Sequence, residues 1–275
     1  MVVCLGLCRV DVDSGYNKLY ETFDSPLSRR IRNEAYGEDV GQHSWVTASE
    51  LNNYIPALLL TPDKRLLDIG CGPAGPLTYI AAKVGCKAVG LDVSDAAISA
   101  GRARAAAMGL DRLVTLQQAD SNEPIPFAES SFDSVITLDV VLHLRDREVV
   151  FSEVARVLTP GGRFWFTDAG VVTGPLTSEE VELRSARGYT QFVPSGFNER
   201  ALEHSRLTLV QLEDRTDDLI ENATGRIAAR LAYRAGLEAV EGVESFEREN
   251  KYLEAVVALS SRRALSRFAF VAERS

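Results

Sequence analysis

Gly70, Gly72 and Gly75 form a G-x-G-x-x-G pattern inside "LLDIGCGPAGPLTYI" (66–80), and Asp92 follows Gly72 by 20 residues. Between a strand and a helix, such glycines let a ligand reach the backbone and the free N–H groups of the helix start. An acidic residue about 20 positions further on suits a ribose diol. The ligand is then adenosine-bearing, either a dinucleotide or another adenosine derivative. Charge separates the two. Asp68, two residues before the turn, would repel a pyrophosphate but attract a ligand with ammonium and sulfonium charges. Pro73 and Pro76 also remove N–H groups that a pyrophosphate wants. The turn favours S-adenosylmethionine over NAD.

Other residues suit parts of the same chemistry. Asp120 and Ser121, in "QADSNEPIPF" (118–127), stand where an adenine amino group can be read. His43 in "GQHSW" (41–45) and His143 in "VVLHL" (140–144) are candidate general bases, because imidazole exchanges protons near neutral pH. Tyr16, Tyr20 and Phe23 recur at helical intervals; they read as a packing stripe, with Tyr16 or Tyr20 closing over the ligand as the functional alternative. Trp45, Arg184, Arg187, Tyr189 and Phe192 are candidates to line an acceptor pocket. Arginines there suit an anionic acceptor. Beside Glu179, Glu180 and Glu182 they read more simply as a solvated i,i+4 network. Cys4, Cys8, Cys71 and Cys86 and the three histidines show no metal-ligand spacing, so no metal site is expected.

The elements that must position these groups alternate. Strands are predicted at 65–70, 87–94, 113–120, 131–141 and 161–170, with helices between them at about 76–84, after Ser94 or Asp95, and after Asp146. Such alternation implies a parallel sheet with helices on both faces. Residues 171–195 read as a long connection. A helix near 198–205, a strand at 206–214, some fifty helix-favouring residues broken near Gly236 and Gly242, and a last strand at 266–273 follow. The first 60 residues read as helical pieces broken at Pro26 and around Gly37–Gly41.

"LLDIGCGPAG", "GLDVS", "ADSNEPIPFAESSFDSVITLDVVLHL" and "RVLTPGGRFWFTD" resemble, in order and spacing, the successive motifs of class I S-adenosylmethionine-dependent methyltransferases of the small-molecule type. The resemblance covers about residues 60–170 strongly. It implies an α/β, Rossmann-like, seven-stranded sheet of order 3-2-1-4-5-7-6 with the last strand antiparallel. It also implies site roles. Asp68, Gly70, Cys71 and Gly72 would face the methionine end of the cofactor, Asp92 the ribose, Val93 the adenine ring, and Asp120 with Ser121 the adenine amino group. At Asp139 the backbone would pass the sulfonium.

The chain has 275 residues, 45% hydrophobic and 25% charged, with a net charge of −9. That is ordinary for a soluble globular domain, and the absence of a basic stripe speaks against nucleic acid. "MVVCLGLCRV" makes a poor signal peptide, no apolar run suits a bilayer, and a cytoplasmic location is expected. The expected organisation is an N-terminal cap (1–60) and a methyltransferase domain (61–275) with lids at about 171–205 and 217–262. The expected reaction is methyl transfer to an N or O atom of a small acceptor, leaving S-adenosylhomocysteine, by a monomer or a homodimer. The alternatives are a protein of this fold using the cofactor structurally or for a non-methyl reaction, and, further off, a NAD-dependent oxidoreductase.

Overall fold

The computed structural model describes Tyr20 and residues 22–275. Ser25 caps α1 (Pro26–Tyr36), and Pro26 occupies its first turn, so this proline starts the helix rather than breaking it. Gly37, at φ +75°, ends α1. Thr47 caps α2 (Ala48–Tyr54). The alternating region follows as β1 (Arg65–Ile69), α3 (Gly75–Val84), β2 (Lys87–Asp92), α4 (Asp95–Ala107), β3 (Val114–Gln118), β4 (Phe132–Leu138), α5 (Arg147–Val157) and β5 (Leu158–Val172). Ser94, not Asp95, caps α4 by accepting from Ala97 N. The chain ends with α6 (Ser178–Arg184), β6 (Val193–Pro194), α7 (Phe197–His204), β7 (Leu207–Asp214), α8 (Thr216–Ala232), α9 (Arg234–Glu241), α10 (Val243–Ser261) and β8 (Leu265–Arg274). The helical run breaks at Tyr233 and at Gly242, whereas Gly236 lies inside α9.

The sheet has the order β3-β2-β1-β4-β5-β8-β7, with β8 antiparallel to both neighbours and β6 paired with β5. This is the expected spatial order with one strand added. The addition has a simple cause: β5 runs on to Val172, and Val171 and Val172 pair with the two residues of β6.

Period-two alternation sends neighbouring residues into two separate cores. Leu66, Ile136, Trp165 and Val271 join one core with Leu51, Leu77, Ile80 and Ile98 of α2, α3 and α4. Leu67, Val135, Phe164, Phe166 and Phe270 join the other with Phe151 and Val154 of α5. A third cluster gathers Trp45 with Leu219 and Ala223 of α8 and Tyr252, Leu253 and Val256 of α10. No helix among the described residues is long and apolar enough to cross a membrane.

Strand order reverses between β1 and β4, and in open α/β sheets the crevice beyond the strand ends at such a point receives ligands. The glycine turn after β1 and the segment Asp139–His143 after β4 flank that crevice.

Candidate active site

Gly70 and Gly72 adopt φ of +71° and +53°, left-handed values that favour glycine. The turn is tied to the end of β2. Gly70 N and Cys71 N both donate to Leu91 O, at 2.8 and 2.9 Å. Gly72 N donates to Asp92 Oδ2 at 2.8 Å, and Ser94 N to Asp92 Oδ1 at 2.9 Å. Two backbone donors thus fix the plane of the Asp92 carboxylate against the glycine turn.

The N-terminal segment lies on the same turn. A methyl on Gly75 would overlap the carbonyl of Gly41, and one on Gly72 would lie 3.2 Å from the Tyr20 hydroxyl. The Gly75 contact is backbone against backbone, so no side chain can yield. Gly75→Ala is therefore expected to push residues 40–41 off α3 and to destabilise the protein by about 1–3 kcal/mol, the usual range for overpacking. Urea unfolding would show this as a lower midpoint.

Asp68 is 2% exposed, and its carboxylate has no hydrogen-bond partner among the described residues. Burial, and after it the charge of Asp92, push its carboxyl well above the usual range. A cation placed against it would oppose both effects. Cys71, between the two glycines, is buried, and burial raises its thiol. Val93 is 37% exposed directly after β2, an apolar side chain left open at the strand edge. Ala119 N donates to Asp92 O at 2.9 Å and brings the end of β3 beside it. Asp120 is exposed and Ser121 half-buried; Asp120 Oδ1 accepts from both nitrogens of Asn122.

Past β4, the side chain of Asp139 turns away from the crevice. Its Oδ2 accepts from Trp45 N at 2.9 Å, and both oxygens accept from Arg267, at 2.9 and 3.2 Å. It caps no helix, since Asp146 caps α5. Its backbone stands at φ +59°, a conformation that aspartate tolerates better than most residues. A site role for Asp139 through its carboxylate does not fit, because that group is spent on an ion cluster.

His143 ends a short 3-10 turn, Val141–His143, with Nδ1 2.8 Å from Tyr189 O. A carbonyl only accepts, so Nδ1 carries the proton and Nε2 the lone pair. Burial lowers the pKa of His143; the Tyr189 bond opposes this, and the charges of Arg187, Arg184 and Arg147 reinforce it. His43 is half-buried and packs edge-on to Tyr20, ring centroids 5.8 Å apart, and against Phe23 at 6.2 Å. Burial lowers its pKa well, aided by the charges of Arg187, Arg226, Arg32 and His143. Both imidazoles therefore sit in the same positive field and stay neutral at neutral pH. Tyr20 and Phe23 pack on Ala97; Tyr16 lies outside the described residues.

The arginines differ from the solvated network expected of them. Arg184 is 3% exposed; it donates to the Tyr252 hydroxyl at 2.6 Å and to Ala169 O at 3.2 Å. Arg187 pairs with Glu249, while Glu180 bonds Arg262. The reason is length. α6 is seven residues long, and its last turn faces β5 and α10 rather than solvent. Tyr189 contributes its carbonyl to His143, and Phe192 joins an apolar cluster with Leu259 and Leu265. Trp45 is fixed from both sides, its N–H on Asp139 and its carbonyl accepting from Asn222 of α8 at 2.6 Å.

Four residues here have no motif in the sequence: Arg226, Glu249, Tyr252 and Arg267. Only Arg267 carries a local signal, as the single charge within the apolar run of "SRFAFVA".

Residues 67–166 match the family model described as "Methyltransferase domain". The methyltransferase GfsG of Streptomyces halstedii is 34% identical over 140 residues, 51% of this chain and 48% of that protein. A sarcosine/dimethylglycine N-methyltransferase of Halorhodospira halochloris is 39% identical over 109 residues, 40% of this chain and 39% of that protein. The aligned region thus spans half or less of these relatives' own length. In fold, the chain resembles the cyclopropane synthase MmaA2 from Mycobacterium tuberculosis, with a TM-score of 0.81, 17% identity and coverage of 95% of this chain and 98% of that one. The four motifs and the strand order agree with the domain match, and residues 67–166 form a methyltransferase domain of the class I, S-adenosylmethionine-dependent type.

Proposed function

We propose that the chain transfers a methyl group from S-adenosylmethionine to an N or O atom of a small-molecule acceptor. One observation carries the reading. The buried carboxylate of Asp68, without a hydrogen-bond partner among the described residues, stands beside the Asp92-pinned glycine turn, at the strand reversal that His143 also flanks with its lone pair on Nε2. These residues fit the cofactor. Asp68 with Gly70, Cys71 and Gly72 would hold its cationic methionine end, Asp92 the ribose hydroxyls, Val93 the adenine face, and Asp120 with Ser121 the amino group. Bound S-adenosylmethionine supplies an electrophilic methyl group on a sulfonium.

The protein's own part is to hold the acceptor in line, exclude water and take a proton where the acceptor must lose one. We assign that proton to His143 Nε2, with His43 as its neutral neighbour. Residues 1–60 would act as a cap, since Tyr20 lies over Gly72 and residues 40–41 lie on Gly75. Residues 171–205 and 217–262 would act as lids over the acceptor. A small acceptor also agrees with the sarcosine/dimethylglycine relative.

The test is calorimetric titration with S-adenosylmethionine, S-adenosylhomocysteine and NAD. Micromolar binding of both adenosyl ligands and none of NAD is expected. Asp92→Ala removes the ribose acceptors and loosens Gly72 and Ser94. It is expected to weaken binding at least about 100-fold, two charge-assisted hydrogen bonds being worth about 3 kcal/mol or more together. Binding of NAD alone would overturn the reading.

A further inference from the structure

Away from the glycine turn, positive charge accumulates around Trp45 and Tyr252. The Arg226 guanidinium lies 5.0 Å from the Trp45 ring centre, and those of Arg187 and Arg184 lie 4.1 and 5.1 Å from that of Tyr252. A stacked guanidinium keeps its in-plane N–H groups directed outward, the geometry that receives planar or tetrahedral oxyanions. Glu249 Oε1 accepts from both Arg187 and Arg226, so two guanidiniums share one carboxylate oxygen. Arg184 is buried and, among the described residues, bonds only a hydroxyl and a carbonyl. Arg226 is 13% exposed on its side chain, and its Nη1 is buried with no hydrogen-bond partner among the described residues. Arg184 and the Nη1 of Arg226 are thus buried without a carboxylate partner among the described residues, which is unfavourable, and an anion bound there relieves it.

The cluster also faces the proposed site of transfer. Arg187 lies two residues before Tyr189, whose carbonyl holds His143, and the charge of Arg187 reaches both His43 and His143. Trp45, beneath Arg226, is bonded to Asp139 at the end of β4. An anion held here leaves the rest of the same small molecule within the histidine-lined crevice.

We propose that Arg226 and Arg187, framed by Trp45, Tyr252 and Arg184, bind an anionic group of the methyl acceptor, a carboxylate or a phosphate. The proposal rests on the methyl-transfer reading above, and its test keeps the two apart. Inorganic phosphate, glutarate and, as a neutral control, glycerol are titrated at constant ionic strength into protein saturated with S-adenosylhomocysteine. Fluorescence of Trp45, one of two tryptophans, is followed. Phosphate or glutarate should give a saturable change in the millimolar range, and which of them binds more tightly identifies the group. Glycerol should give none. Arg226→Gln should weaken that binding at least tenfold and Arg226→Lys by less, while Arg248→Gln, an exposed change on α10, leaves it alone. S-adenosylhomocysteine affinity should stay within about twofold throughout. No saturable anion binding, or equal affinity in Arg226→Gln, overturns the proposal. Failure of S-adenosylhomocysteine to bind while the anion curves persist would instead sink the methyl-transfer reading and leave an anion site standing.

Discussion

Replacing Arg267 with methionine is expected to destabilise the protein by about 3–5 kcal/mol, the range for removing one partner from a buried ion pair. Arg267 is fully buried. Its Nε and Nη2 donate to the two oxygens of Asp139, and its Nη1 donates to both oxygens of Glu50 at 3.0 Å. Methionine fills part of the space but leaves two carboxylates in the apolar interior without the cation that bonds them. Even beside Arg267, burial pushes the Glu50 carboxyl above its usual range. Without Arg267 that push is opposed only by the weaker influence of Arg215, while the charge of Asp139 adds to it. An acid whose folded pKa is raised favours folding in its protonated form, so its stabilising share is present at low pH and lost as pH rises through the folded value. The deficit of the variant should therefore be larger at pH 7 than at pH 5. A triple change that also makes Glu50 and Asp139 apolar should recover part of the loss at pH 7, as when whole buried ion clusters are replaced by hydrophobic groups. Denaturant unfolding at the two pH values measures all of this, against a total stability of about 5–15 kcal/mol. A deficit under 1 kcal/mol would mean that water or a shifted neighbour already compensates the cluster. The same variant should loosen the site, because Asp139 also holds Trp45 N.

The cluster shows which kinds of information the sequence carries. Within "SRFAFVA", Arg267 shares its strand face with Ala269 and Val271, so its inward orientation is legible from alternation. Its partners are not legible, for they lie 217 and 128 residues away on a helix and a strand end whose meeting depends on the whole fold. The glycine turn is the opposite case. Gly70, Gly72 and Asp92 are brought together by two adjacent parallel strands, so spacing alone locates them. Arg184 marks the boundary between these cases. The i,i+4 rule describes a helix surrounded by water. It fails on a seven-residue helix whose last turn is pressed against β5 and Tyr252. Arg226 and Glu249 come from two different helices, and their chemistry exists only once α8 meets α10.

Changing His143 to asparagine is expected to lower kcat by about 10²–10⁴-fold for an acceptor that must lose a proton, the usual worth of a positioned base. Asparagine is chosen because its amide nitrogen can still donate to Tyr189 O, keeping the loop bond while removing the lone pair on Nε2. Affinity for S-adenosylhomocysteine should be unchanged, so the loss belongs to transfer and not to cofactor capture. The pH profile separates proton acceptance from simple positioning. Burial and the nearby arginines lower the pKa of His143, so the neutral base persists below its ordinary value of 6.5. The wild-type rate should hold through neutral pH and fall only as pH drops through that lowered value, and the asparagine variant should lack this acid limb. Arg187→Gln removes a charge that helps keep the imidazole neutral, and should therefore move the limb to higher pH. A structural histidine would give slower turnover with the limb intact in the asparagine variant and no response to Arg187. That outcome would pass the proton to the acceptor's own chemistry or to His43, whose pKa is lowered by burial and then by the same arginine and Arg226.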